Sequence, residues 1–263
     1  MLANLANLFR YRGLIQSLVA RELKARYRGS ALGFVWSFIN PLLLLLIYTF
    51  VFTVVNPTRG PGLEHFSLFM FCGILPWTWF HSSLLESSNV LIAGGNLIRK
   101  VLFPAEVLPI VTVLAGLVHF LFGLPILAAF FIYYGVPVTP TDLLWLPLII
   151  VVQLMLTLGL AFVVSALTVH FRDLRDLLVN LMTLWFFATP IVYPLSQAPE
   201  RVRRFLNLNP FTHLAVAYQQ VLFVPGPFEQ WPRLIALGLA SAAVLLFGYF
   251  VFDRLRDTLA EEV

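Results

Sequence analysis

Four cations fall within eight residues at Arg21, Lys24, Arg26 and Arg28, directly before an uncharged run from Gly29 to Phe52. Clustered guanidinium and ammonium groups hold anions, and beside a long apolar run the nearest anions are the phosphates of a bilayer surface. A second group with chemical potential is HFRDLRD, residues 170–176, where His170 and Asp173 stand three positions apart. One cytoplasmic helical turn, with Arg172 paired to Asp176, accounts for it more simply than metal binding or acid–base work. His81 and His119 lie singly inside apolar runs, where a histidine reads as a packed hydrogen-bonding group. The two lysines, Lys24 and Lys100, do not end a GxxxxGK[ST] phosphate loop, so any drive by ATP has to come from a partner. No catalytic residue, metal site or cofactor is expected in this chain.

These groups must be positioned by a membrane protein. Of 263 residues, 60% are hydrophobic and 11% charged, and the mean hydropathy is +0.88. That leaves too little polar surface for a soluble domain. The net charge of +4 is therefore read against the bilayer first, and no nucleic-acid partner is inferred from it. Cys72 is the single cysteine, which excludes an intramolecular disulfide and a thiolate cluster. The first apolar run is too long for a signal peptide and is expected to stay in the mature protein.

A bilayer core of about 30 Å needs about 20 apolar residues as helix. Six uncharged runs of that order occur, at 33–55, 66–85, 107–134, 143–169, 177–195 and 234–252. The expected fold is all-α: six transmembrane helices, an N-terminal amphipathic interfacial helix and short non-spanning helices in the last external loop. The run around 205–225 is broken by Asn207, Asn209, Pro210, His213, Gln219 and Gln220, so it reads as re-entrant or interfacial. A seventh span there is the alternative, and it would move the C-terminus to the other side.

With six spans, twelve of the seventeen cations share a side: Arg10, Arg12, Arg21, Lys24, Arg26, Arg28, Arg99, Lys100, Arg172, Arg175, Arg254 and Arg256. Arg59, Arg201, Arg203, Arg204 and Arg233 fall on the other, which makes both termini cytoplasmic. The whole chain, 1–263, reads as one transmembrane domain with three named parts. These are a cytoplasmic interfacial helix at 1–32, a cytoplasmic coupling loop at 86–106 and an external gate segment at 196–232.

Along 14–28, Leu14, Ile15, Leu18, Val19, Leu23 and Tyr27 share a broad helical face and Ser17, Arg21, Lys24 and Arg28 lie opposite. Glu22 and Arg26 interrupt the apolar face and can pair at i,i+4. In the 86–106 stretch, polar Glu86, Ser87, Ser88 and Asn89 precede Val90, Leu91 and then Gly94 and Gly95. That order predicts a short helix along the membrane with a glycine break, suited to a groove on a partner.

Three stretches together resemble the permease subunit of polysaccharide-exporting ABC transporters, the O-antigen and teichoic-acid export family among the type-2 exporters. They are RELKARYRGSALGFVWSFINPLLLLLIYTFVF before and within the first span, NLIRKVLFPAEVLP leading into the third, and FRDLRDLLVNLMTLWFFATPIVYP over the fourth loop and fifth span. LNPFTHLAVAYQQVLF matches more weakly, and Gln219 stands in it where the family often has arginine.

The resemblance implies a homodimer in the cell inner membrane, two copies of an ATP-binding-cassette subunit that bind ATP and Mg, and a polyprenyl-diphosphate-linked glycan as cargo. Arg21, Lys24 and Arg28 would then meet the diphosphate headgroup. Glu86, Ser87, Ser88, Asn89, Val90 and Leu91 would contact the ATPase subunit. Trp185, Phe186, Phe187 and Tyr193 would line the channel, offering aromatic faces to a sliding sugar chain, and Phe211, Tyr218, Gln219 and Phe223 would form the external gate. Two other readings compete: an ABC exporter of a drug or small lipid, and an intramembrane enzyme acting on polyprenyl phosphate. The enzyme would need a set of charged groups at the membrane face that the scattered acids do not supply.

Overall fold

In hydrocarbon every backbone N–H and C=O needs a partner inside the protein, so uncharged runs of this length cross as helices. The computed structural model describes residues 11–26, 29–30, 32–55, 65–95, 97, 103–137, 139, 143–224 and 226–262, with Phe34 and 257–262 as backbone only. Nine α-helices and no strand occur among the described residues. They are α1 (Arg12–Arg26), α2 (Trp36–Phe50, continued by a π turn at Val51–Val55), α3 (Phe66–Ala93) and α4 (Val107–Tyr134). Then follow α5 (Leu146–His170), α6 (Leu174–Phe187), α7 (Glu200–Leu206), α8 (Pro210–Leu222) and α9 (Trp231–Glu262).

Five of these, α2 with its π turn, α3, α4, α5 and α9 as far as Arg256, are long and apolar enough to cross a membrane. The bounds of α4 coincide with the expected 107–134 run, and Gly135 at φ +65° closes it in the left-handed conformation that glycine adopts without strain. The expected fifth helix over 177–195 is shorter than expected. α6 has 14 residues, about 21 Å of rise, and stops at Phe187.

α3 is the centre of the bundle, with most of its length buried between α4 and α5. Its Pro76 carbonyl accepts a hydrogen bond from the buried Gln153 side chain of α5 at 2.8 Å, a polar clasp where proline interrupts the helical ladder. α5 and α9 touch backbone to backbone at Gly159 and Gly248. α2 is peripheral, with Ser37 and Leu45 its buried residues and the rest half-buried or exposed.

The segment beginning at Glu86 departs from the expected separate loop helix. α3 runs on without a break through Leu91 to Ala93, because no helix breaker stands between Glu86 and Gly94; Glu86 bonds Arg26 of α1, and Ser88 Oγ donates to the Leu85 carbonyl of its own helix. Ser87 and Ser88 are 0% and 2% exposed and Leu91 is buried, while Glu86, Asn89 and Val90 are half-buried. The glycine break itself falls at Gly94, as the spacing indicates. The remainder of the 86–106 stretch at 96 and 98–102, which includes Arg99 and Lys100, lies outside the described residues.

Candidate functional site

The cationic junction is built by α1 lying on the start of α4. Leu18 is buried against Val107 and Val111, with Tyr11, Leu14, Ile15 and Val19 packed alongside. The apolar face thus meets protein, and Ser17, Arg21 and Lys24 on the other face are exposed. Arg28 and Tyr27 lie outside the described residues. Arg26 pairs with Glu22 as the spacing indicates, Nε to Oε1 3.8 Å, and its guanidinium also bonds the Glu86 carboxylate of α3. That second partner, sixty positions away, escaped the sequence reading. The available signal was an acid at the end of an apolar helix, which calls for a cation. The Glu86 bond engages Arg26 on the face away from Arg21 and Lys24, which are exposed.

Arg26 and Glu86 are 24% and 38% exposed, so their coupling should lie between that of a surface pair and that of a buried one. A double-mutant cycle with Arg26→Ala and Glu86→Gln, read by thermal unfolding in detergent, is expected to give about 1–2 kcal/mol. The same cycle with Glu22→Gln should give about 0.5 kcal/mol or less. Equal couplings would show that the two carboxylates hold Arg26 alike. Beside this pair, Glu22, Glu86, Asn89, Val90 and Arg175 line a cavity of about 430 Å3 between α1, α3 and α6.

At the other end, the chain leaves α6 at Phe187 and turns through 188–194 with Thr189, Pro190 and Ile191 buried. Buried non-helical backbone needs substitute partners, and side chains provide them. Asn209 Nδ2 donates to the Ala188 carbonyl at 3.0 Å and to Thr189 Oγ1 at 2.9 Å. Gln219 Nε2 donates to the Pro190 carbonyl at 3.0 Å, and the Tyr193 hydroxyl donates to the Phe187 carbonyl at 3.1 Å. Asn209 Oδ1 meanwhile caps α8 by accepting from the Phe211 N–H at 2.9 Å and accepts from Trp185 Nε1 at 2.8 Å. Asn209 is therefore the joint between the end of α6 and the start of α8, a role absent from the sequence reading.

The segment that reads as non-spanning is the 13-residue α8, sunk into the bundle against α3, α5 and α9. All four gate candidates are buried: Phe211 and Tyr218 at 0% exposure, Gln219 at 3% and Phe223 at 8%. Phe211 meets Trp77 at 4.9 Å and Phe80 at 4.7 Å between ring centroids, and Phe223 meets Phe69 at 5.7 Å. Trp185 packs edge-on against Phe80 at 5.2 Å, and Phe186 lies 5.7 Å from Trp77. Two of the channel candidates and one gate candidate therefore join a single aromatic cluster inside one protomer. Phe187 is 63% exposed and turned away, because consecutive helical residues point about 100° apart and three in a row cannot share a face. Tyr193 is half-buried in the turn.

Among the described residues no group of three or more histidine, cysteine, aspartate or glutamate side chains could hold a metal ion. His170 ends α5 with Nδ1 3.1 Å from the Ala166 carbonyl, a local helical contact.

Relatives place this arrangement. The chain is 40% identical over 265 residues to the O-antigen export system permease protein RfbA of Myxococcus xanthus, with the full length of both covered. It is 31% identical to a protein of the same name from Klebsiella pneumoniae, over 98% of this chain and 96% of the relative. To the polysialic acid transport protein KpsM of Escherichia coli it is 23% identical, over 90% and 92%. Residues 13–223 match the family described as ABC-2 type transporter, which takes in every element from α1 to α8. By that match and by its full-length relatives, the chain belongs to the ABC-2 type transporter family.

Proposed function

We propose that this chain is the membrane subunit of an ATP-driven exporter that moves a polyprenyl-diphosphate-linked polysaccharide of O-antigen, teichoic-acid or capsule type across the cytoplasmic membrane. The observation that carries the reading is the 40% identity, end to end, with a protein named as an O-antigen export permease. It works as a transport subunit and not as an enzyme. Two copies pair with two ATP-binding-cassette subunits, which bind the ATP and Mg. α6 is the fifth of six spans in chain order, completed by the turn 188–194, in which Thr189, Pro190 and Ile191 are buried and the Ala188 and Pro190 carbonyls are bonded by side chains. Six spans put both termini in the cytoplasm of an inner-membrane protein.

Within this reading Arg21, Lys24 and Arg28 receive the diphosphate headgroup from the inner leaflet. Glu86, Asn89 and Val90, which line an open cavity, carry the ATPase contact, and the buried Ser87, Ser88 and Leu91 support it from within. Trp185, Phe186, Phe187 and Tyr193 flank the glycan path. Phe211, Tyr218, Gln219 and Phe223 move together with α8 as the external gate.

The test is reconstitution with the ATPase subunit in vesicles, following ATP-dependent transfer of lipid-linked glycan and its stimulation of ATP hydrolysis. Neutralising Arg21, Lys24 and Arg28 together to glutamine removes charge-assisted contacts worth roughly 1.5–3 kcal/mol each when well formed. The half-saturating concentration of lipid-linked glycan should rise at least about tenfold while basal hydrolysis persists. Equal half-saturation in the two proteins would leave the cations as a topology signal alone. Transfer of a drug or small lipid without glycan would overturn the cargo.

A further inference from the structure

A polar cavity of about 520 Å3 opens between the turn after Pro194, α7, α8 and the first turn of α9. Its volume lies within the roughly 300–1,000 Å3 of small-molecule sites. Five amides line it, Gln197, Asn207, Gln219, Gln220 and Gln230, with the cations Arg203 and Arg233 and the rings of Phe69 and Phe223; Gln219 already spends its Nε2 on the Pro190 carbonyl. No carboxylate is among its lining residues.

Three of the lining residues hold a buried polar atom that has no hydrogen-bond partner: Arg203 Nε, Asn207 Oδ1 and Gln220 Oε1. Buried polar atoms are ordinarily satisfied, so these three mark unmet demand for one acceptor, at Arg203 Nε, and two donors, at the Asn207 and Gln220 oxygens. The remaining polar geometry holds the wall in place. Arg203 Nη2 donates to the carbonyls of Ser196 and Ala198 at 2.9 and 3.1 Å, fixing the turn to α7. The Asn207 carbonyl lies 2.9 Å from His213 Nε2 on α8.

We infer that this cavity binds a pyranose unit bearing a negative charge, such as a uronic acid within a glycan. Amides offer a donor and an acceptor side by side, which matches the hydroxyls of a sugar ring. Apolar ring faces suit its C–H surface. Two guanidinium groups with no carboxylate among the lining residues favour a carboxylate over a neutral sugar. The inference rests on the glycan-export reading for its biological meaning, because it places recognition of the cargo beside the external gate residues Gln219 and Phe223. The binding itself requires no transport.

The test uses the purified full-length chain in detergent with three probes, glucuronate, glucose and inorganic phosphate, followed by saturation-transfer NMR. Glucuronate is expected to saturate in the millimolar range and to bind at least about threefold more tightly than glucose or phosphate. Arg233→Gln, an exposed position, should bring glucuronate down to the level of glucose. Gln220→Leu should weaken both sugars. Arg201→Gln, an exposed arginine of α7 outside the cavity, should change nothing. Absence of saturable glucuronate binding up to roughly 50 mM overturns the inference. Phosphate binding as tightly as glucuronate also overturns it, as does full glucuronate affinity in Arg233→Gln. Should Gln220→Leu fail to fold, the Arg233→Gln and Arg201→Gln pair decides alone. Sugar binding without glycan export would sink the proposed function and leave the cavity assignment standing, and export without sugar binding would do the reverse.

Discussion

Replacing Gly248 by leucine is expected to drive α5 and α9 apart and to cost roughly 3 kcal/mol or more of stability. A Cβ at Gly248 would sit 2.0 Å from the Gly159 carbonyl oxygen and 2.8 Å from its carbon. A Cβ at Gly159 would in turn meet the backbone of Val244 and Leu245 at 2.7 Å. The obstacle is helix backbone on both sides, so no rotamer change relieves it. In hydrocarbon, packing of this kind replaces the hydrophobic effect as the force between helices, so separating the pair forfeits what holds α9 in place. Gly248→Ala should already destabilise the protein measurably. Gly238→Ala on the same helix is the control, because its nearest obstacle is the Val152 Cγ2 methyl at 3.3 Å, which can give way. Thermal unfolding and size-exclusion profiles in detergent read all three. A Gly248→Leu protein as stable as Gly238→Ala would show that α5 and α9 are not closely apposed.

The second large effect is expected at Asn209, and it separates capping from joining. Asn209→Ala removes a helix cap worth about 1 kcal/mol. It also leaves the part-buried Trp185 N–H without its acceptor, a further cost of about 1–3 kcal/mol, whereas the exposed Ala188 carbonyl adds little. A total near 3 kcal/mol is expected, with Trp185 fluorescence shifting as its indole loses its acceptor. Asn209→Asp is the sharper variant. Aspartate caps helices as well as asparagine does and keeps the oxygen that serves Phe211 and Trp185. Its second oxygen would face the Ala188 carbonyl and a Thr189 hydroxyl whose proton already goes to the Trp185 carbonyl at 2.8 Å. Donor has become acceptor, so Asn209→Asp should be at least as damaging as Asn209→Ala at neutral pH. If aspartate were instead tolerated, Asn209 would be only a cap, and the end of α6 would be held by something else.

These two sites show where a linear reading stops. Hydropathy and helix termination are local, so the membrane class, the all-helical architecture and most helix limits were legible in the residues alone. Thus α4 spans its whole uncharged run and ends at a glycine, and α3 stops at Gly94. The Glu22–Arg26 pair was legible too, since it needs only i,i+4 spacing. The break around Pro210 and the non-spanning length of the helix after it were legible from proline, asparagine and run length.

The tertiary structure alone decided which polar residues are interior. Ser87 and Ser88 look like loop residues, and a bulky acid there would strike packed neighbours, because α3 carries them past the end of its apolar run into the bundle. α6 looked like a full span because the 188–194 stretch is as apolar as a helix. It ends early because Pro190 and Pro194 break the helical ladder, a local signal, while Asn209 and Gln219, more than twenty positions on, supply donors to the carbonyls so freed. The Arg26–Glu86 bond and the Gly159–Gly248 contact have the same origin. Hydropathy records how much each residue prefers water, whereas the partner that satisfies a buried carbonyl, carboxylate or bare backbone is chosen only when distant segments of the chain meet.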